Sequence, residues 1–514
     1  MVSLQVAEAA AAAGGRVIAG DPSGRLAGAA IDSRAVRGGE LFFAFSGSRT
    51  DGHRFVADAL ARGAGGAVIE STERLGEARP EEAGGAHGRR RSPALIQVGS
   101  TLAALQEVAR SVRQRVPERL VAVTGSVGKT TTKELLAAML GARFRVARSP
   151  GNLNNSIGFP LALLNVPDDT QWMVAEMGMS TPGELRQLSL LGRPDVALFT
   201  AVRAVHLEFF GSLKAIAEAK AELLAGLPAG GLVVANAGDP EVVRIARRHL
   251  AAARGRVVWY GLDHVRHVRH FRDVRHARDV RDARSSADRG GIELDLWAHD
   301  LAPLFPEGSR FRLTAASGES EELLLPLYGL YNVENCLAAA ACAHALGVPL
   351  VEIAAAVRGS SAAARRGVVH RVELPGERGG GFTLVDDSYN SNPDALAKAL
   401  AAAALPPAAR RLAVLGDMLE LGPEAPRFHR AGGELAARLG FAVVAGVGEL
   451  ARELVAGANA PDTAAAPATI WFADAAAAAE WAAGAVRGGD LVLVKGSRGV
   501  GLEAVVRRLL EVAG

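Results

Sequence analysis

The sequence predicts an α/β protein of three consecutive units, each with helices packed on a sheet. Three observations lead there. The chain has 514 residues, and at about 150 residues per domain that length makes room for roughly three. Hydrophobic residues make up 49% and charged residues 22%, the usage of a globular protein and not of a disordered or fibrous one. Apolar runs of strand length alternate with helical stretches, the rhythm of a mostly parallel sheet with helices on both faces. Aromatics are only 5%, so the cores must be built from Ala, Val and Leu.

The first unit covers residues 1–98. Its opening, MVSLQVAEAAAAAGGRVIAG, lacks a basic region, and Gln5 and Glu8 interrupt its apolar residues. It reads as a first helix and not as a signal peptide. A short apolar run follows at 41–45, and the polar stretch 79–93 reads as a loop. The second unit, 99–366, has apolar strand candidates at 119–124, 171–176, 195–200 and 232–236. It also holds a low-complexity insert, 263–289, with Arg at every third residue from Arg266 to Arg284. Period three fits neither helix nor strand, so an expanded surface loop is expected. A tether to a polyanion is the competing reading, and the four interspersed histidines leave a metal open. The third unit, 367–514, has strand candidates at 382–386, 411–415, 441–446, 470–473 and 491–494, separated by Ala-rich helices.

The net charge of +3 comes from the insert, whose eight Arg outnumber five Asp. The remainder balances, which argues against nucleic acid or an anionic membrane as a partner. No apolar stretch is long enough to span a bilayer. Cys336 and Cys342 lie six apart in one helical stretch and form no framework, so a reducing cytoplasm is the simplest setting. Only six of the 58 basic residues are lysine. Where Lys persists among so many Arg, a compact or titratable amine is expected to be needed.

Residues 120–133 read LVAVTGSVGKTTTK. An apolar strand runs into Thr124, Gly125, Ser126, Val127, Gly128, Lys129, Thr130 and Thr131, and a helix follows. This is a phosphate loop: glycines turn backbone N–H groups inward, and the helix N-terminus adds its positive end. Lys129 can reach the β- and γ-phosphates of ATP, and the Thr130 hydroxyl can ligate Mg²⁺. Val123 stands where the first Gly of the usual spacing would be, so the loop is a variant.

Three further residues stand out. Glu176 ends the strand QWMVAE, where a carboxylate meets ligand or metal at the carboxyl edge of a parallel sheet. His206 follows the strand DVALFT and has a metal or phosphate role open to it. Lys220 lies on an apolar stripe of Leu213, Ile216, Leu223, Leu224 and Leu227. Either it snorkels to water, or burial populates a neutral amine that can take up CO₂ as a carbamate.

At these residues the chain resembles the Mur ligase family, ATP-dependent amide-forming enzymes of peptidoglycan precursor synthesis. The resemblance runs almost end to end: DSRAVRGGELFFAFSG and TDGH; TGSVGKTTTK, GNLNNSIGFP, AEMG, HLEFFGS and EAKAE; GLYNVEN; then HRVEL, DDSYNSNP, LGDMLELG and VKGSRG. DDSYNSNP and LGDMLELG look most like the branch that joins D-alanyl-D-alanine to UDP-N-acetylmuramoyl-tripeptide. The alternative is a relative adding another amine, such as the third residue of the stem peptide. A nucleic-acid-dependent P-loop ATPase is the reading from another class.

The resemblance implies an N-terminal UDP-sugar-binding domain, a central ATP domain and a Rossmann-like C-terminal domain for the incoming amine. It matches Lys129 and Thr130 to the phosphate-loop pair and Glu176 and His206 to Mg²⁺ ligands. Lys220 matches a carbamylated lysine, and Asn332 and Asn335 match nucleotide-side asparagines. Arg371 matches an arginine near the γ-phosphate, and Asp387 an aspartate contacting the nucleotide. Ser33, Arg34 and the turn Thr50, Asp51, Gly52, His53 match the UDP region, and Asn154 or Asn155 lies near the acceptor carboxylate. Lys495, at a strand end, is expected to face the incoming dipeptide or the reaction intermediate, with a surface lysine as the plainer reading. Tyr331 and Phe209 depart from the family's usual His and Gly. A monomer using ATP and Mg²⁺ through an acyl phosphate is expected.

Overall fold

The computed structural model describes residues 4–47, 50–75, 92–116, 118–253, 255–263, 291–375, 380–460 and 466–512. Three main sheets follow one another along the chain.

The first sheet has five strands in the spatial order Arg16–Ala19, Ala94–Gln97, Gly66–Ile69, Leu41–Phe43, Ala29–Ala30. All neighbours are parallel except Arg16–Ala19. The expected N-terminal helix is shorter than the sequence suggested, only Val6–Ala12. It is flanked by Leu4–Gln5, which pairs with Arg25–Leu26, and by Arg16–Ala19. Sheet pairing at both flanks takes up backbone groups that a longer helix would have used internally. Most of the expected loop at 79–93 lies outside the described residues.

The central sheet has nine strands. Seven are parallel, in the order Val146–Arg148, Trp172–Glu176, Arg119–Thr124, Val196–Phe199, Leu232–Asn236, Arg256–Leu262, Leu296–Leu304. Gly308–Ala315 and Ser320–Leu325 extend it antiparallel. The inner strands read as unbroken apolar runs because helices cover both faces; Trp172–Glu176 and Val196–Phe199 are buried throughout. On one face lies the helix Tyr331–Ala345, an Ala-rich rod with both cysteines buried and free. The expected surface loop falls at residues outside those described, apart from Asp263.

The third sheet runs Val368–Glu373, Gly381–Asp387, Asp490–Lys495, Arg410–Gly416, Val443–Val447, Ala468–Phe472, parallel except for the first. Each strand expected there is present. No helix among the described residues is long and apolar enough to cross a membrane.

Candidate active site

The strand Arg119–Thr124 lies inside the central sheet, and its carboxyl end opens directly into the phosphate loop before the helix Lys129–Leu140. Gly125 and Gly128 have φ of 149° and 85°. A Cβ on Gly125 would sit 1.9 Å from Thr200 Oγ1, and one on Gly128 2.1 Å from Asn335 Oδ1. Only glycine meets both the backbone and the packing demand. Neighbouring groups hold the loop's shape. The Ser126 N–H donates to Ala201 O (2.7 Å), and Thr200 Oγ1 donates to Val127 O (2.6 Å). Lys129 folds over the loop, its Nζ donating to Gly125 O at 2.9 Å. Burial lowers its pKa, with the nearby Glu176 carboxylate opposing.

Glu176 is buried at the end of the adjacent strand. Its carboxylate accepts from Thr130 Oγ1 on one oxygen and from Asn154 Nδ2 on the other, both at 2.7 Å. Thr130 and Glu176 thus place two oxygen donors side by side at the lip of the phosphate loop. Asn155 points elsewhere: its Oδ1 accepts from the N–H groups of Ile157 and Gly158 and ties down the start of the next helix. Both asparagines line the cleft, Asn154 held on Glu176 and Asn155 on the backbone.

Lys220 is 3% exposed. Among the described residues its Nζ has neither a hydrogen bond nor an ion pair. Burial pushes its pKa well below the usual lysine value, the Lys129 charge adds to this, and Glu176 opposes. It lines the same cleft as Glu176, so it does not snorkel to bulk water. The stripe itself needs correction. The helix spans Leu213–Ala221 and tightens to a 3₁₀ turn at Glu222–Gly226, and Leu213 is 41% exposed. Ile216 and Leu223 are buried like Lys220; Leu213 is not.

His206 adopts a left-handed backbone, φ 55°. Its Nδ1 is paired with the carboxylate of Glu420 from the third unit. Burial lowers its pKa, while Glu420 opposes. A carboxylate only accepts, so Nδ1 carries the proton and Nε2 keeps its lone pair.

The third unit closes the cleft, which measures about 470 Å³. Lys495 Nζ donates to Asp387 Oδ2 at 2.7 Å and to Asn390 O at 2.9 Å, and only 3% of its side chain is exposed. Lys495 is thus a buried partner of Asp387 in the wall of the cleft. Asn335 Nδ2 donates to Asn332 Oδ1 (2.9 Å), and Asn332 in turn donates to Tyr328 O (2.8 Å). The hydroxyl of Tyr331 is buried without a partner, and burial pushes its pKa well up.

Arg371 does not join this group. It is exposed on the strand Val368–Glu373, while Arg366, five residues earlier, lines the cleft. The Arg366 guanidinium lies 4.0 Å from the centre of the Tyr389 ring, a cation–π contact. Arg366 lies in the turn before the strand, and Arg371 on the strand itself. Val372 faces inward, so its neighbour Arg371 faces out. Sequence reasoning missed Arg366, Glu420 and Lys133. Lys133 is fully buried and donates to Ser149 O and Gly151 O. For Glu420 the signal was the LGDMLELG box; for Lys133 it was the scarcity of lysine.

The candidate UDP residues lie in the first unit and do not line this cleft. Ser33 is buried, Arg34 pairs with Asp32 at 2.7 Å, and Thr50 is exposed. His53 is fully buried and spends both ring nitrogens internally. Its Nδ1 meets Asp51 Oδ1 (2.7 Å), and its Nε2 accepts the Glu70 N–H (2.9 Å). It fixes the Asp51–Gly52 turn and has no ring nitrogen left for a ligand.

Residues 25–113 match the Mur ligase family catalytic domain, 123–343 the Mur ligase middle domain, and 370–498 the Mur ligase glutamate ligase domain. The UDP-N-acetylmuramoyl-tripeptide–D-alanyl-D-alanine ligase of Mycobacterium tuberculosis strain H37Rv is 34% identical, over 99% of this chain and 98% of its own. The enzyme of that name from Escherichia coli K12 is 32% identical over 95% and 96%. Among solved structures, MurF from Acinetobacter baumannii superposes with a TM-score of 0.78 at 26% identity, covering 99% of both chains. MurF ligase from Thermotoga maritima, in complex with ADP, gives 0.69 at 25% identity over 95% and 97%. With three domain matches in order and relatives this similar over their full length, the chain belongs to the Mur ligase family.

Proposed function

We propose that this chain joins D-alanyl-D-alanine to UDP-N-acetylmuramoyl-tripeptide at the expense of ATP, through an acyl phosphate. The observation that carries this reading is the single cleft in which the phosphate loop, Glu176 and Lys220 of the central unit face Asp387 and Lys495 of the third. Lys129 and the loop N–H groups hold the β- and γ-phosphates. Thr130 and Glu176 suit a hard dication that also binds phosphate oxygens, and His206 and Lys220 lie beside them. Mg²⁺ bound there supplies charge neutralisation as the phosphoryl group moves. Lys220, neutral and buried, takes up CO₂ to give a carbamate oxygen donor. Arg366, which lines the cleft, reaches the phosphates in place of Arg371. The tripeptide carboxylate attacks the γ-phosphorus and displaces ADP, and the dipeptide amine then attacks the acyl carbon, loses a proton and displaces phosphate. Closing the cleft keeps water from the acyl phosphate.

In this reading the units divide as 1–98 for the UDP-sugar, 99–366 for ATP and 367–514 for the amine. The protein acts as a cytoplasmic monomer without nucleic acid. The acceptor is tested by offering D-alanyl-D-alanine, diaminopimelate and lysine in parallel. Ligation of the dipeptide alone supports the proposal, and preferential ligation of a single amino acid to a UDP-linked dipeptide overturns it.

A further inference from the structure

Two loops from different units meet at His206. On the central side, the Arg203 N–H donates to Ser126 Oγ at 2.9 Å, so the loop leading to His206 is tied to the phosphate loop. On the other side, the segment around Glu420 is pinned from below. The Met418 N–H donates to His429 Nε2 (2.8 Å), and His429 Nδ1 donates to Ala425 O (2.7 Å). The Leu419 N–H donates to Ser497 Oγ at 3.0 Å. Met418 and Leu421 are buried on either side.

Two hydrogen bonds join the loops. The Glu420 carboxylate accepts from His206 Nδ1, and the Glu208 N–H donates to Glu420 O at 3.2 Å. Both His206 and Glu420 are non-glycine residues in left-handed backbone, with φ of 55° and 63°. Such conformations cost free energy and persist where surrounding structure holds them, commonly at functional contacts. Here each strained residue is held by the other.

We infer that Glu420 is a positioning residue for the reaction: it reaches across from the third unit, fixes the tautomer and orientation of His206, and so ties closure of the cleft to completion of the phosphate-side site. A carboxylate on one ring nitrogen is a recurring way to orient a histidine whose other nitrogen acts. Among the described residues Nε2 of His206 has no hydrogen-bond partner, so that nitrogen is the one presented. The inference rests on the reading of His206 as a site residue.

The test combines steady-state kinetics of Glu420→Ala and Glu420→Gln with amide hydrogen exchange on the nucleotide-free enzyme. Glu420→Ala is expected to lower kcat by about 10- to 100-fold. KM for ATP should stay within about twofold, because the phosphate loop is untouched. The Phe209 and Phe210 amides, which donate to His206 O, should exchange faster. Glu420→Gln should restore most of both, since its side-chain oxygen still accepts from Nδ1. In a His206→Ala background, Glu420→Ala should add no further loss. Wild-type kcat in Glu420→Ala overturns the inference. So does an additive double mutant, or an equal fall in kcat and Tm in both variants with unchanged exchange at 206–210. Full activity in His206→Ala alone would sink the site reading beneath it.

Discussion

Asn154 and Asn155 are neighbours with separate tasks. Asn154 donates to Glu176, whereas Asn155 holds the backbone that opens the helix Gly158–Leu164. Asn154→Ala is therefore expected to cut turnover at least tenfold with little change in Tm. Asn155→Ala is expected to cost about 1 kcal/mol of stability, the worth of a capping hydrogen bond. Paired activity and melting measurements separate the two, and a reversed pattern contradicts the assignment. Lys220 makes a second case. Its lowered pKa means that the folded state sheds a proton the unfolded chain keeps. Folding then carries a penalty that is complete below the folded pKa and fades as pH rises toward the ordinary value of about 10.4. Without metal and CO₂, Lys220→Met should be more stable than wild type near neutrality. Above the folded pKa the gap is about 1.4 kcal/mol for each unit of pH below the ordinary value and should close at alkaline pH. Denaturant titrations across that range decide; equal stability throughout contradicts burial of the free amine. For the carbamate, Lys220→Arg should lose ligation because guanidinium cannot take up CO₂. Acetate should partly restore Lys220→Ala.

Elements with a strong local signature were legible before any coordinates. The strand–glycine–helix passage at 119–140 is one, and the inner strands at 172–176 and 196–199 are others, since a buried parallel strand leaves an unbroken apolar run. Less legible were elements whose burial depends on partners distant in sequence. The strand Val146–Arg148 has three residues and ends in Arg148, so it carries no run to read. The antiparallel strand Gly308–Ala315 alternates, with Arg310 and Arg312 outward, and its polar half hid it among loop residues. The resemblance pointed to Arg371 near the γ-phosphate, but which way a strand residue faces depends on register, and Arg371 turns out, whereas Arg366, in the turn before the strand, lines the cleft. The glycine positions give an element-scale prediction. Gly128→Ala must place Cβ 2.1 Å from Asn335 Oδ1 in a left-handed backbone. ADP titration should show at least a tenfold loss of affinity while the circular dichroism of the fold persists. Unchanged affinity would mean that the loop has another shape.

Across the whole molecule, the cleft belongs to two units at once. Arg203 bridges Asp239 and Asp394, and Lys398 of the third unit meets Glu334 of the helix Tyr331–Ala345 at 3.2 Å. Burial lowers the Lys398 pKa, but the Glu334 and Asp394 carboxylates more than offset it and leave it raised. The Arg-repeat segment enters after the strand Arg256–Leu262, and neither Asp263 before it nor Gly291 after it lines the cleft. Deleting residues 264–284 should leave ligation and Tm nearly unchanged, because shortening a connection alters closure entropy little; a large loss of activity would place the segment in the site. The central claim is amide formation driven by ATP in this shared cleft. Its most direct test is mass spectrometry of the product from reactions holding ATP, UDP-N-acetylmuramoyl-tripeptide and D-alanyl-D-alanine, with each omitted in turn. The account predicts one new species, the tripeptide extended by the dipeptide with loss of water, in the complete mixture only and absent with Lys129→Ala. ATP consumed to ADP and phosphate with no such species, or the species formed by Lys129→Ala at the wild-type rate, would contradict it.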